Sequence, residues 1–359
     1  MRFVFDLLAS GTAGLLAPVS AAASLTAFLT RALRVFRDRR ALAWGVGFPL
    51  FAIYAFALWH EVLPVVWFHV DYPETGRIIR SHKWISYAPD HLDVRYVPLD
   101  ETRVRRELTA VRRAGFTGII TYSTREELAV IPSIASSVGL AVIAGIWDPT
   151  DRTEIESAIK VKESVAAYAV GHIGLHEGRY TYDDVLRAMR LVRFRTARPV
   201  STTEKLDRYE NDLRLLGIGD WIFPDAHFIG RTDTGYGDVQ FDADIERDVT
   251  FILDSARLIA DWDREDKRGR EILLKTIGYP YDGIPGASAE LQQRFFVTLL
   301  DSRRDSRSKL PARVSIAVHT AYDATWKTGW PYYPWDRYMA LFDEQRRPRP
   351  AVKAVVERL

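Results

Sequence analysis

Residues 141–172 read AVIAGIWDPTDRTEIESAIKVKESVAAYAVGH. The stretch opens on Ala141–Ile146, a short run without charge, and closes on Ala167–His172, apolar up to its last position. Between them Arg152–Glu163 has an amphipathic helix pattern. Strands that are apolar on both faces must be covered on both sides, and a helix returning between two of them makes the pair parallel.

Outward from that unit the alternation continues. Strand patterns occur at Ile85–Tyr87, Gly118–Tyr122, Pro199–Thr203, Trp221–His227, Ile272–Ile277 and Val314–His319. Helix patterns include Glu101–Ala114, Glu126–Val138, Asp183–Thr196 and Asp244–Trp262. Eight such strands predict an α/β fold, a (β/α)8 TIM barrel over 84–359. A doubly wound open sheet is the alternative. It usually has fewer strands and often a phosphate loop, and no Gly-x-Gly-x-x-Gly or Walker motif follows any strand here.

The charge balance, 49 basic against 47 acidic residues for a net +2, leaves no basic face in the folded part and argues against a nucleic-acid partner. With no cysteine, disulfides, thiolate metal ligands and a cysteine nucleophile are excluded.

The average conceals a segregated N-terminus. Leu7–Thr30 and Ala41–Trp59 carry no charge, and between them lie Arg31, Arg34, Arg37, Arg39 and Arg40 with one acid, Asp38. A spanning helix needs roughly 20 apolar residues, and short loops rich in arginine stay in the cytoplasm. Residues 1–68 are therefore expected to form a transmembrane helical hairpin with a cytoplasmic Arg loop, and 69–83 a linker. The bilayer becomes a partner, and the 84–359 domain lies on the periplasmic or extracytoplasmic side of the plasma membrane. A signal peptide cleaved near Ala21-Ala22-Ala23 is the competing reading, and a buried core hairpin the structural one.

In a barrel the site gathers at the C-terminal ends of the strands. Those ends carry Tyr87 and Asp90, Tyr122, Trp147 and Asp148, His172, Glu204, Asp225 and His227, Thr276 and Tyr279, then Asp323, Trp326 and Lys327. Aromatic faces beside a few polar groups suit the C–H face and hydroxyls of a sugar. Each aromatic ring taken by itself is more often a core residue than a sugar platform.

These stretches are similar to the bacterial branch of glycoside hydrolase family 17, the β-1,3-glucanases and glucanosyltransferases. The likeness runs from about Ile85 to Val355. It rests on Ser86-Tyr87-Ala88-Pro89, Ala144-Gly145-Ile146-Trp147, Val170-Gly171-His172-Ile173-Gly174-Leu175 with Gly178-Arg179-Tyr180, and Pro199–Glu204. It continues through Gly219–His227, Lys275-Thr276-Ile277-Gly278-Tyr279-Pro280, and Asp323 with Trp326-Lys327. The resemblance implies a β-glucan ligand, no cofactor and no metal. It also implies an acid/base glutamate at the end of the fourth strand and a nucleophile glutamate at the end of the seventh. Those positions read Ile173 and Thr276, and a further family carboxylate reads Thr320.

Isoleucine cannot carry a proton, and a threonine hydroxyl without an adjacent base is a poor nucleophile. Three readings stay open. One is a degenerate hydrolase that binds glucan through Tyr87, Tyr122, Trp147, His172, Glu204, Asp225, His227, Tyr279, Trp326 and Lys327, beside a glucan synthase or hydrolase partner. Another is an active β-1,3-glucan hydrolase or transglycosylase with carboxylates relocated to Glu177 or Asp323. The last is a metal site drawn from His172, His176, His227 and His319, against which stands the simpler reading of histidines bonded to sugar or backbone.

Overall fold

The computed structural model describes residues 74–89, 98–226, 244–265, 269–305, 310–325, 327 and 334–359. The chain divides into two units at Trp67/Phe68, and every described residue falls in the second. The expected hairpin over 1–68, together with Asp90, His227 and Trp326, lies outside the described residues. Among the described residues no helix is long and apolar enough to cross a membrane.

Among the described residues seven strands form one all-parallel sheet: β1 (Trp84–Ser86), β2 (Gly118–Ile120), β3 (Ala141–Ile146), β4 (Ala167–His172), β5 (Val200–Thr203), β6 (Ile272–Ile277) and β7 (Val314–Val318). Their order is β5-β4-β3-β2-β1-β7-β6. The sequence pattern predicts eight strands, and the described part of Trp221–His227, residues 221–226, does not become a strand. Its segment instead joins the two edges of the sheet through isolated parallel bridges, Ile222 and Asp225 to β6 and Asp225 to Lys205 just beyond β5. Leu273 N–H donates to Ile222 O, and Lys275 N–H to Pro224 O, each over 2.9 Å, while Asp225 N–H donates to Glu204 O over 2.8 Å. Pro224 has no N–H, so the ladder is interrupted in its middle.

The helices between strands are α1 (Glu74–Arg80), α2 (Glu101–Arg113), α3 (Ile131–Ser137), α4 (Arg152–Lys160), α5 (Gly174–Glu177) and α6 (Tyr182–Thr196). They continue with α7 (Leu206–Asn211), α8 (Arg214–Gly217), α9 (Ile245–Glu265), α10 (Ala289–Arg304) and α11 (Pro350–Arg358). Their starts follow side-chain chemistry. Asp100 caps α2 at Arg103 N–H, Asp151 caps α4, and Thr181 with Asp184 closes a capping box on α6.

Period-two alternation sorts each strand between two apolar layers. Ile85, Ile119, Val142, Tyr168, Leu274 and Ile316 meet the helices, whereas Trp84, Ile120, Ile143, Ala169, Leu273 and Ala317 pack on the inner face with Trp221 and Phe223. The described part of the stretch 69–83, expected as a linker, begins at Glu74. Glu74–Arg80 is helical, and its Ile78 and Ile79 join the inner layer, where Trp84 Nε1–H donates to Ile79 O over 2.9 Å. Burying such an isoleucine contributes roughly 1.5–3 kcal/mol, enough to fold a short apolar pair onto the sheet.

Candidate functional site

The apolar inner layer stops at the C-terminal rim of the sheet, and polar groups take over. On β6 the alternation that turns Leu273 inward also turns Lys275 inward, and Lys275 is 2% exposed. Its Nζ donates to Nδ1 of His172, at the end of β4, over 2.8 Å. The same ammonium lies 4.6 Å from the centroid of the Tyr122 ring, a cation–π distance.

Aromatic groups surround this pair. The His172 ring lies 4.7 Å from Trp147 and meets Tyr122 edge-on at 5.4 Å. The Tyr122 hydroxyl is 3.0 Å from Nδ1 of His319, past the end of β7. Arg179 stacks on Trp147 with Cζ 4.8 Å from the ring centroid and donates to the His172 carbonyl. Tyr122, Trp147 and His172 are each half-buried, so the cluster has an open side.

Burial sets the protonation states. Lys275 is pushed down to about 8 by desolvation, with Asp225 opposing and Lys327 assisting. His172 is held well below the ordinary imidazole range by burial first and then by Lys275, Arg179, Lys327 and His319. It is therefore a neutral acceptor for the ammonium. Burial also lowers Lys327 and raises the Tyr122 phenol.

Trp147 is placed by a buried carboxylate. Glu154 on α4 accepts from Trp147 N–H at 2.8 Å, Asp148 N–H at 3.1 Å, Thr124 N–H at 3.2 Å and Ser123 Oγ at 2.6 Å, and pairs with Arg125. One side chain thereby ties the loops after β2 and β3 together.

Two rim positions hold unusual backbone. Ile173 has φ 57° and Thr276 φ 63°, both in the left-handed region. The β4–β5 register shifts just before Ile173, and the β6–β7 register shifts around Thr276. Left-handed backbone is costly for β-branched residues, on the order of 1–3 kcal/mol each, and such outliers cluster at functional sites. Bulges here re-aim side chains at the rim.

No known family profile and no curated protein sequence matches the chain. Solved structures do. A β-1,3-glucanosyltransferase from Rhizomucor miehei, an active-site mutant in complex with laminaritriose, superposes with a TM-score of 0.57 at 13% identity, covering 76% of this chain and 97% of that one. A family 5 glycoside hydrolase from Streptomyces cattleya, in complex with N-acetylglucosamine, gives 0.56 at 17% identity over 78% and 80%. A family 2 β-galacturonidase from Eisenbergiella tayi, bound to galacturonate, gives 0.53 at 15% identity over 77% and 50%. The fold is that of the glycoside hydrolase barrels.

Glycosidase chemistry on that fold needs two carboxyl groups facing each other, about 5 Å apart for retention and about 6.5–9.5 Å for inversion. Among the described residues of this glycoside-hydrolase-like domain, four carboxylates near the strand ends already have partners. Asp225 accepts the Thr276 hydroxyl over 2.7 Å. Glu204 is fully buried and accepts from the Leu175 and His176 N–H groups, capping α5, and burial raises its carboxyl to about 7. Glu177 lies at the exposed end of α5, paired with Arg179 at 2.6 Å. Asp323 accepts from Tyr281 at 2.5 Å and from Ala340 N–H at 3.2 Å, beside Arg349. Thr320 donates to Ser86 O over 3.0 Å.

Two expected sugar platforms belong to the core. Tyr87 is 1% exposed and donates to Glu107 over 2.7 Å, and Tyr279 is 0% exposed, stacked on Phe295 at 4.5 Å with its hydroxyl on Asp248. Both belong to the layer under the helices, where alternation sends them away from the inner face. The structure thus brings Tyr122, Trp147, His172, Asp225, Ile173, Thr276 and the half-buried Lys327 to the rim.

Sequence reasoning overlooked Lys275 and Arg179 as rim groups and took His319 only for a metal ligand. The signal for Lys275 was present, since a lysine at i+2 from Leu273 in an otherwise apolar strand must turn inward with it. His176 is exposed on α5, and among the described residues no group of three or more metal-ligating side chains is gathered.

Proposed function

We propose that the domain binds a β-glucan segment at the rim formed by Tyr122, Trp147 and His172 and does not hydrolyse it. One observation carries this reading. The two positions where the family 17 resemblance requires glutamates hold Ile173 and Thr276, and both keep the bulged, left-handed backbone of a functional rim. The scaffold for two catalytic groups persists without the groups. Half-buried aromatic rings with one open side support sugar stacking, which needs no carboxylate.

In the same reading residues 1–68 anchor the domain to the plasma membrane on its extracytoplasmic side, beside a glucan synthase or hydrolase. The grounds are the Arg31–Arg40 cluster between two uncharged runs. A reporter fused after Arg40 that is active only outside the cytoplasm overturns this topology.

The test of function uses the full chain in detergent. Calorimetric titration with laminaritriose is expected to give binding, and a reducing-end assay on the same sample no turnover. Turnover abolished by Glu177→Gln or by Asp323→Asn overturns the reading in favour of relocated carboxylates. Failure to bind any β-glucan overturns it outright.

A further inference from the structure

We propose that the β-glucan segment held at this rim carries a carboxylate, docked against Lys275, so that an acidic, uronate-type glucan is bound in preference to the neutral one. The inference rests on the carbohydrate-binding reading above and specifies its substrate class.

An ammonium has three N–H donors. That of Lys275 gives one to His172 Nδ1 and turns toward the Tyr122 ring, and among the described residues no carboxylate lies within ion-pair distance of it. A buried cation left in that state is expensive unless an anion completes it.

The position that would supply that anion in a hydrolase is the next residue. A glutamate at position 276 would set a carboxylate beside the ammonium, whereas Thr276 is neutral and donates its hydroxyl to Asp225. That bond takes up part of the charge of the rim carboxylate acting on Lys275. Lys327 adds a second cation from the last loop, with Asp225 and Asp336 acting on it. Arg179 adds a third, paired with Glu177.

The rings decide the position. Trp147 and Tyr122 both lie against His172 at this half-buried edge, so a sugar seated there comes beside the Lys275–His172 pair. A carboxylate there receives the remaining ammonium donors. A hydroxymethyl group, as in glucose, accepts a hydrogen bond but leaves the charge unpaired.

The test compares three matched probes on the full chain in detergent: laminaritriose, laminaritriose oxidised at C6 to carboxylates, and the methyl ester of the oxidised trisaccharide. The carboxylated probe is expected to bind at least tenfold tighter than the parent and the ester. Lys275→Gln is expected to bring that preference within twofold, and Lys275→Arg to keep most of it, with circular dichroism confirming folded variants. If Lys275→Gln does not fold, the ester comparison in the unmodified protein decides.

Equal binding of parent and carboxylated probes, or a preference that survives Lys275→Gln, overturns the acidic-ligand inference and leaves glucan binding standing. Loss of binding to all three probes overturns both.

Discussion

Lys275 at the end of β6 and His172 at the end of β4, 103 positions apart, share a 2.8 Å hydrogen bond in which the imidazole is the acceptor. The bond fixes the tautomer. With Nδ1 accepting and the ring neutral, the proton sits on Nε2, so the histidine offers a donor of its own. The arrangement costs stability and is kept at the rim, where a ligand can use it.

Removing the buried ammonium should therefore stabilise the fold. Lowering from 10.5 to about 8 corresponds to at most about 3 kcal/mol, and Lys275→Met is expected to recover about 1–3 kcal/mol at pH 7 in urea denaturation. The pH dependence has a definite sign. Because the folded-state pKa is depressed, the unfolded chain binds more protons between pH 8 and 10.5, so wild-type stability rises across that window. Lys275→Met should lack the rise. A variant less stable than wild type at pH 7 contradicts the account.

Glu204 gives the opposite slope. Burial raises its carboxyl from 4.5 to about 7, the two N–H donors of α5 only partly opposing. The native state then binds more protons than the unfolded chain between pH 4.5 and 7. Stability from this group is present below pH 4.5 and falls, by about 2–3 kcal/mol, as pH rises to 7. In Glu204→Gln that component of the slope should vanish. An unchanged slope means the carboxyl titrates normally.

Glu154→Ala removes the acceptor that joins the loops after β2 and β3. Three backbone N–H groups, the Ser123 hydroxyl and Arg125 lose a buried partner. The expected cost is roughly 3–5 kcal/mol in denaturant, together with a red-shifted emission from Trp147. A loss under about 1 kcal/mol would show that solvent replaces the carboxylate at no penalty.

The double replacement Ile173→Glu with Thr276→Glu restores the two carboxylates implied by the resemblance. It is expected to release reducing ends from laminari-oligosaccharides above an undetectable wild-type background. The rate should be weak, because the resemblance also implies an asparagine before the acid/base glutamate, and that position is His172. The carboxylate introduced by Thr276→Glu would also pair with Lys275 and raise its pKa, which an alkaline shift of the stability profile would report. Wild-type turnover at the level of the double variant defeats the expectation.

Much of the frame was legible because it depends on local pattern. Ala141–Ile146, Ala167–His172 and Ile272–Ile277 fall where the apolar runs place them, and Asp100, Asp151 and Thr181 start helices as capping residues do. Ile173 and Thr276 at the positions where the resemblance implies glutamates were equally plain, since residue type is read directly from the sequence.

Tertiary structure decided the rest, for reasons a linear pattern cannot express. Tyr87 and Tyr279 look like sugar platforms by position, but their pleat faces the helices, so packing against Tyr322 and Phe295 claims the rings. Glu204 looks like a ligand-binding acid, yet the chain folds two N–H groups of α5 onto it. Pro224 turns a predicted strand into a bridging segment. The buried partnership of Lys275 with His172 joins residues that only closure of the sheet brings within 2.8 Å, and the low dielectric that shifts both groups exists only after the inner layer beneath them has packed.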